Sequence, residues 1–257
     1  MWTLIRELRA ALADLFPTKR DNLIVTGLVV FGAIVSGAEM LTAKLFSDII
    51  LPGGTSTRPM AGTIALAVLF LVVFGGLRVI NYAQNLYRVN VFEKAFHGRD
   101  DVKGSEESWR WATAMELTSI LTMGARIIVI AAVLFLLSPI FGLANIIVML
   151  AIAEIFGAAV RRQFLTQQGF RDRQKAKAPA SSAEKVRARI KAGEASALLA
   201  SLGVMGLMGV LIAFAITGVV DAGNALVLFL AVRMIGQMYS GISTGLMRFA
   251  RARVNGR

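Results

Sequence analysis

The feature that most constrains this chain is a set of apolar runs too long and too free of charge for a small soluble core. Residues 59–77 are 19 in a row without a charge, residues 195–220 are 26, and residues 127–153 are 27, broken only by Ser138-Pro139. A helix needs roughly 20 apolar residues to cross the hydrocarbon core of a bilayer. Inside lipid the backbone must satisfy its own polar groups, which helices do. Composition agrees: 56% of residues are hydrophobic and 17% charged, against about 45–50% and 25% in soluble domains.

Charge placement orients the chain. Lysine and arginine concentrate at the start, in alternate connections and at the end, while the three external connections contain only Arg58 as a positive charge. This positive-inside pattern places both termini in the cytoplasm, so the net charge of +12 needs no nucleic acid to explain it. The expected crossings are 22–51, 60–91, 112–137, 140–160, 193–218 and 224–249. Residues 1–20 are expected to form an amphipathic interfacial helix and elbow, 21–249 a six-helix transmembrane domain, and 250–257 a basic cytoplasmic tail. In the first helix Trp2, Ile5, Leu8, Leu12 and Leu15 recur at helical spacing. They suit either the inner membrane surface or a short helix packed on the body. The expected fold class is all-α, polytopic and membrane-embedded, in a bacterial cytoplasmic (inner) membrane.

Several chemistries are disfavoured. There is no cysteine, and His97 is the single histidine, so no cysteine- or histidine-rich metal site is expected. No HExxH motif occurs. We therefore expect no catalytic residue, no metal and no cofactor, and read the chain as not an enzyme.

Ionisable residues within apolar helices are costly in lipid, and they face a bundle interior or an aqueous path. Glu39, Arg78, Arg126, Glu154 and Arg233 are of this kind. They line a transport pathway or form interior ion pairs, such as Glu39 with Arg78 or Glu154 with Arg126 or Arg233; snorkelling is a further option near an interface. Lys44 and Asp48 mark the outer boundary, and Tyr82, Gln84, Asn85 and Tyr87 suit an inner vestibule or an interface. Gly203, Gly206, Gly209, Gly236, Gly241 and Gly245 allow close helix approach, within the chain or in a dimer, or else give a substrate access. Residues 161–191 carry Arg161, Arg162, Arg171, Arg173, Lys175, Lys177, Lys185, Arg187, Arg189 and Lys191. This basic face sets topology beside anionic lipid or docks an acidic partner; with almost no aromatic interleaving it is not read as a nucleic-acid surface.

Three segments carry a family resemblance: AKLFSDIILPGG, FLLSPIFGLANIIVML and DAGNALVLFLAVRMIGQMYSGISTGLMRFARARV. In order and spacing they resemble the transmembrane domain of six-helix ABC exporters, closest to the ATPases of type I secretion systems. The resemblance implies an exporter-like fold, a homodimer or larger homo-oligomer, and alternating access. Arg233 falls where the family often has an arginine. Two departures stand out. No G-x-x-x-x-G-K-[ST] loop occurs, so ATP hydrolysis would come from a separate ATPase subunit. The cytoplasmic connections, 92–110 and 161–191, are also short for the family's ATPase-docking arms. The expected function is thus a permease-like subunit of an ABC-type export system. The alternatives are a non-transporting membrane scaffold on an exporter-like fold and a proton-coupled secondary transporter.

Overall fold

In a computed structural model of the chain, residues 2–50, 60–96, 104–176 and 180–255 are described. They form seven α-helices and no strand: α1 (Trp2–Leu15), α2 (Lys19–Ile50), α3 (Met60–Phe96), α4 (Gly104–Leu137), α5 (Pro139–Lys175), α6 (Ser182–Ile216) and α7 (Ala222–Asn255). Helices α2 to α7 are each long and apolar enough to cross a membrane. The protein is an all-α, multi-pass membrane protein with six spanning helices. His97, Arg58 and Lys177 lie outside the described residues, as do the side chains of Trp2, Lys175 and Arg189.

The helices run further at their basic ends than their charge content suggests. Helix α3 continues to Phe96 instead of 91, α4 begins at Gly104 instead of 112, α5 continues to Lys175 instead of 160, and α6 begins at Ser182 instead of 193. Polar sequence is not helix-breaking sequence: arginine, lysine, glutamine and alanine all favour the helix. One face of α5 also stays buried past the apolar run, through Phe156, Val160, Gln163 and Phe170. Ser181 starts α6 by accepting a hydrogen bond from the Glu184 amide at 3.1 Å, which satisfies an otherwise orphan donor of the first turn. At 32 to 37 residues, the spanning helices measure about 48–56 Å against a hydrocarbon core of about 30 Å.

The end of the chain also differs from a free tail. Helix α7 continues through Asn255, and Ala250, Ala252 and Val254 are buried. Arg253, 8% exposed, pairs with Asp14 at the end of α1. The face that α1 turns inward is Leu4, Leu8, Ala11, Leu12 and Leu15; Ile5, expected on it, is exposed. Phe16 follows as an anchor, with ring centroids 5.6 Å from Phe92 and 6.0 Å from Phe96. Trp111 closes the cluster edge-on at 5.3 Å from Phe96. The elbow is thereby pinned to the α3–α4 hairpin.

Helices α4 and α7 form the central pair. Helix α2 packs on both and carries α3 on its outer side; α5 and α6 complete the other side, and α1 lies against α4 and α5. Two turns at the opposite end are tight. Ser138 alone separates α4 from α5, with Pro139 at the first helical position, where its missing N–H costs nothing. Gly218 (φ +71°) ends the α6 turn in a left-handed conformation that glycine adopts without strain.

Gly142 lets the first turn of α5 pass the end of α4, since a Cβ there would overlap the backbone of Phe135. Gly142→Ala is therefore expected to destabilise the protein, toward the upper end of about 1–3 kcal/mol. At Gly209 an added Cβ would meet nothing within 4 Å, so this position should accept alanine without loss. Thermal unfolding in detergent checks this, and equal melting temperatures for the two variants would refute the close approach.

Candidate functional site: a basic cleft and a polar helix face

Glu39, Arg78 and Arg126 come together, although they are distant in sequence. They line a cleft of about 460 Å³ between α2, α3 and α4, together with Asn81, Gln84, Asn85, Arg88, Thr118 and Thr122. Helix α3 supplies its side through residues 78, 81, 85 and 88, a spacing that keeps them on one helical face. Helix α4 supplies Thr118, Thr122 and Arg126 from successive turns.

Asn81 sits between the charges. Its Nδ2 donates to Glu39 Oε1 at 3.2 Å, and its Oδ1 accepts from Arg126 Nη2 at 3.4 Å. Arg126 Nε also donates to the Gly32 carbonyl at 3.1 Å. Gln84 Nε2 donates to the Leu28 carbonyl, one turn away, at 2.9 Å. The small residue at Gly32 matters here, because a Cβ would fall 2.6 Å from Gln84 Nε2 and 2.9 Å from Thr122 Cγ2. Arg88 Nη2 donates to Asn85 Oδ1 at 3.4 Å, while its buried Nε has no hydrogen-bond partner among the described residues. Three guanidinium groups thus face one carboxylate, and the cleft is electropositive.

A second hollow of about 450 Å³ continues from the first, sharing Glu39 and Arg78. Its other walls are mostly apolar: Ala43, Phe46, Phe70, Phe74, Leu77 and Met234. Phe70 lies 5.5 Å from Phe46 and 5.8 Å from Phe74, centroid to centroid. The Arg78 guanidinium stands 5.4 Å from the Phe74 ring centre, a cation–π arrangement at the junction of the two hollows.

Glu154 and Arg233 do not join this cleft. Glu154 is exposed on α5. Arg233 opens a different feature, for Arg233, Gln237, Ser240, Thr244 and Arg248 are all exposed on α7, in steps of three or four that keep them on one face. This stripe lies within the least apolar of the six spanning helices. Arg248 pairs with Glu116 of α4 at 3.4 Å.

The glycines divide by environment. The position of a Cβ at Gly203 lies 3.0 Å from Val148, at Gly236 3.3 Å from Val204, at Gly241 2.6 Å from Met123 Sδ, and at Gly245 3.1 Å from Ile120. These four mark close approaches within the chain. Gly206 and Gly209 have nothing within 4 Å and face outward.

The basic face folds as a helical hairpin. Arg161, Arg162, Arg173, Arg187 and Lys191 are exposed, with Arg171 and Lys185 half-buried. Arg173 pairs with Glu184 across the hairpin at 3.0 Å, and Arg171 donates to the Val254 carbonyl at 3.3 Å. A separate hollow of about 450 Å³ beneath α1 gathers Arg6, Arg161, Arg171 and Arg253 beside Glu7. Among the described residues no three His, Cys, Asp or Glu side chains are grouped as metal ligands.

Sequence reasoning singles out Glu39, Arg78, Arg126, Gln84 and Asn85 but passes over Asn81, Arg88, Thr118 and Thr122. The spacing 78–81–85–88 is the available signal. Tyr82 and Tyr87, suited by sequence to a vestibule or an interface, are exposed. No protein-family model matches the chain, and no curated protein matches it. Fold and site together define a class, the multi-pass α-helical membrane proteins with a charged interior cleft.

If Asn81 links the two charges, Glu39→Gln and Asn81→Ala should be non-additive. The expected coupling is about 0.6–1.7 kcal/mol, the range for hydrogen bonds between membrane helices. A double-mutant cycle on unfolding in detergent measures it, and simple additivity would remove Asn81 from that role.

Proposed function

We propose that this chain is the permease subunit of an ABC-type export system, working as a homodimer with an ATPase carried by a separate chain. The observation that carries the reading is the exposed polar stripe on α7, from Arg233 to Arg248. Charged and polar side chains on a membrane helix face a bundle interior or water, so this face calls for a second copy across an aqueous path. Alternating access would expose that path to each side in turn.

Two further features support the reading. The six crossings and their motifs resemble the exporter transmembrane domain. The α3–α4 and α5–α6 hairpins extend at the basic end beyond what a bilayer requires, and offer helical arms on which an ATPase could dock. The exposed Arg161, Arg162, Arg187 and Lys191 suit an acidic docking surface or the anionic inner leaflet.

Gentle extraction followed by mass analysis of the intact complex tests the proposal. Two copies of this chain with an ATPase are expected. Because the chain has no cysteine, Ser240→Cys gives a single reporter, and it should crosslink copy to copy in membranes. A monomer without an ATPase that supports flux only under a proton gradient would overturn the reading in favour of secondary transport. Large ordered assemblies without an ATPase or flux would favour a scaffold.

A further inference from the structure

We infer that the cleft between α2, α3 and α4 is a binding site for an anionic phospholipid, with its phosphate between Arg88 and Arg126 and an acyl chain passing Arg78 along Phe70 and Phe74. Such a site does not depend on whether the chain transports anything.

Charge selects an anion. Three arginines and one glutamate line the polar hollow. Glu39 is engaged by Asn81, and Arg126 is held by Gly32 and Asn81. Arg88 has a buried Nε with no partner among the described residues. An orphan guanidinium N–H in a low-dielectric setting is costly, and a phosphate oxygen would satisfy it with a charge-assisted bond. A set of ion pairs that merely locked the helices would leave no such excess of positive charge.

Shape selects an amphiphile. The polar hollow runs into an apolar one through Glu39 and Arg78. A small soluble anion has no use for the Phe46, Phe70 and Phe74 walls; a molecule with a charged head and an apolar tail does. The two parts are also ordered along α3. Phe70 and Phe74 lie toward Met60, and Asn85 and Arg88 toward Phe96 at the basic end. Arg78 to Arg88 is ten residues, about 15 Å of helix. The head therefore sits toward the basic end and the chain toward the opposite face, the polarity of a lipid in the leaflet on the basic side.

Access is from the membrane. Helix α3 packs along α2 without an extended contact to α4. Leu71, Val72, Val79 and Leu86 point outward from it, as expected of a helix facing lipid. The cleft thus opens between α3 and α4 in the plane of the bilayer, where a lipid can enter sideways.

The test uses the full chain in neutral detergent, with phosphatidylglycerol, phosphatidylcholine and soluble glycerol phosphate as probes, read by native mass spectrometry. Phosphatidylglycerol should bind at least about tenfold more tightly than phosphatidylcholine. Arg88→Gln should remove that preference and Arg88→Lys should keep most of it. Independently of how Arg88 variants fold, alkylation of Asn85→Cys should be slowed by phosphatidylglycerol and unaffected by phosphatidylcholine. Equal binding of the two lipids would overturn the inference. So would glycerol phosphate competing as well as the lipid, since the ligand would then be a soluble anion. Loss of binding in Arg161→Gln but not in Arg88→Gln would move the lipid to the hollow beneath α1 and equally overturn it.

Discussion

The close approach of α7 to α4 organises the bundle. Lipid tails are as apolar as leucine, so no hydrophobic force drives these helices together. Dispersion contacts and interhelical hydrogen bonds must do it. Gly241 and Gly245 bring the α7 backbone down onto Met123, Ile120 and Glu116, where an added Cβ would require the Met123 and Ile120 side chains to shift. Ser243 on the adjoining face bonds Ser196 of α6 at 2.7 Å and the Gly193 carbonyl at 2.9 Å, buried away from lipid and water. With α4 and α7 placed, α2 fills the groove on one side. On the other, α5 and α6 interlock through Gly203 against Val148 and Ile152.

Charges in the spanning helices then meet two fates. Near the ends opposite the basic ones, Lys44 bonds Asp48 and Asn224, each at 3.0 Å, and Ser47 donates to the Gly223 carbonyl at 2.9 Å. Asp221 in turn caps the Asn224 amide. These contacts tie α2 to the start of α7, which explains two charges at a helix end without a pathway. In the cleft the balance is different: one carboxylate is shared through Asn81, and positive charge is left over. The same residue types thus close one end of the bundle and leave its middle electrically unfinished.

The membrane class and the number of spans are legible in the sequence because both rest on run length and charge asymmetry, which need no tertiary information. Helix ends are less legible, since arginine- and glutamine-rich stretches look like loops although they are good helix formers with a buried stripe in Val160, Gln163 and Phe170. Partnership is least legible. Each intramembrane charge is visible by itself, but whether Glu39 meets Arg78 or Asn81 depends on the rotation of α3 about its axis. Arg88 is hidden by lying near the end of the expected apolar core, although it continues the face of Arg78 and Asn85. The outward placement of Gly206 and Gly209, against the inward placement of Gly241 and Gly245, is likewise a matter of helix rotation that spacing alone does not fix.

The α7 stripe sets a scale for whatever covers it. Arg248 is already paired with Glu116, and Arg251 stands over Trp109, 5.6 Å from the ring centre, so the stripe is compensated at its basic end. The remainder, Arg233, Gln237, Ser240 and Thr244, covers about eleven residue steps and about 17 Å of helix, roughly half the hydrocarbon thickness. Facing lipid directly, such a face would leave several polar groups unsatisfied at several kcal/mol each. Thr244 donates to the Ser240 carbonyl at 3.1 Å and so removes part of that cost, but among the described residues Arg233 and Gln237 make no such bond. Cover by water or by protein over the half of α7 nearer its start would relieve this imbalance. A single helix turned to lipid along its whole length would have no physical reason to place an arginine and a glutamine there.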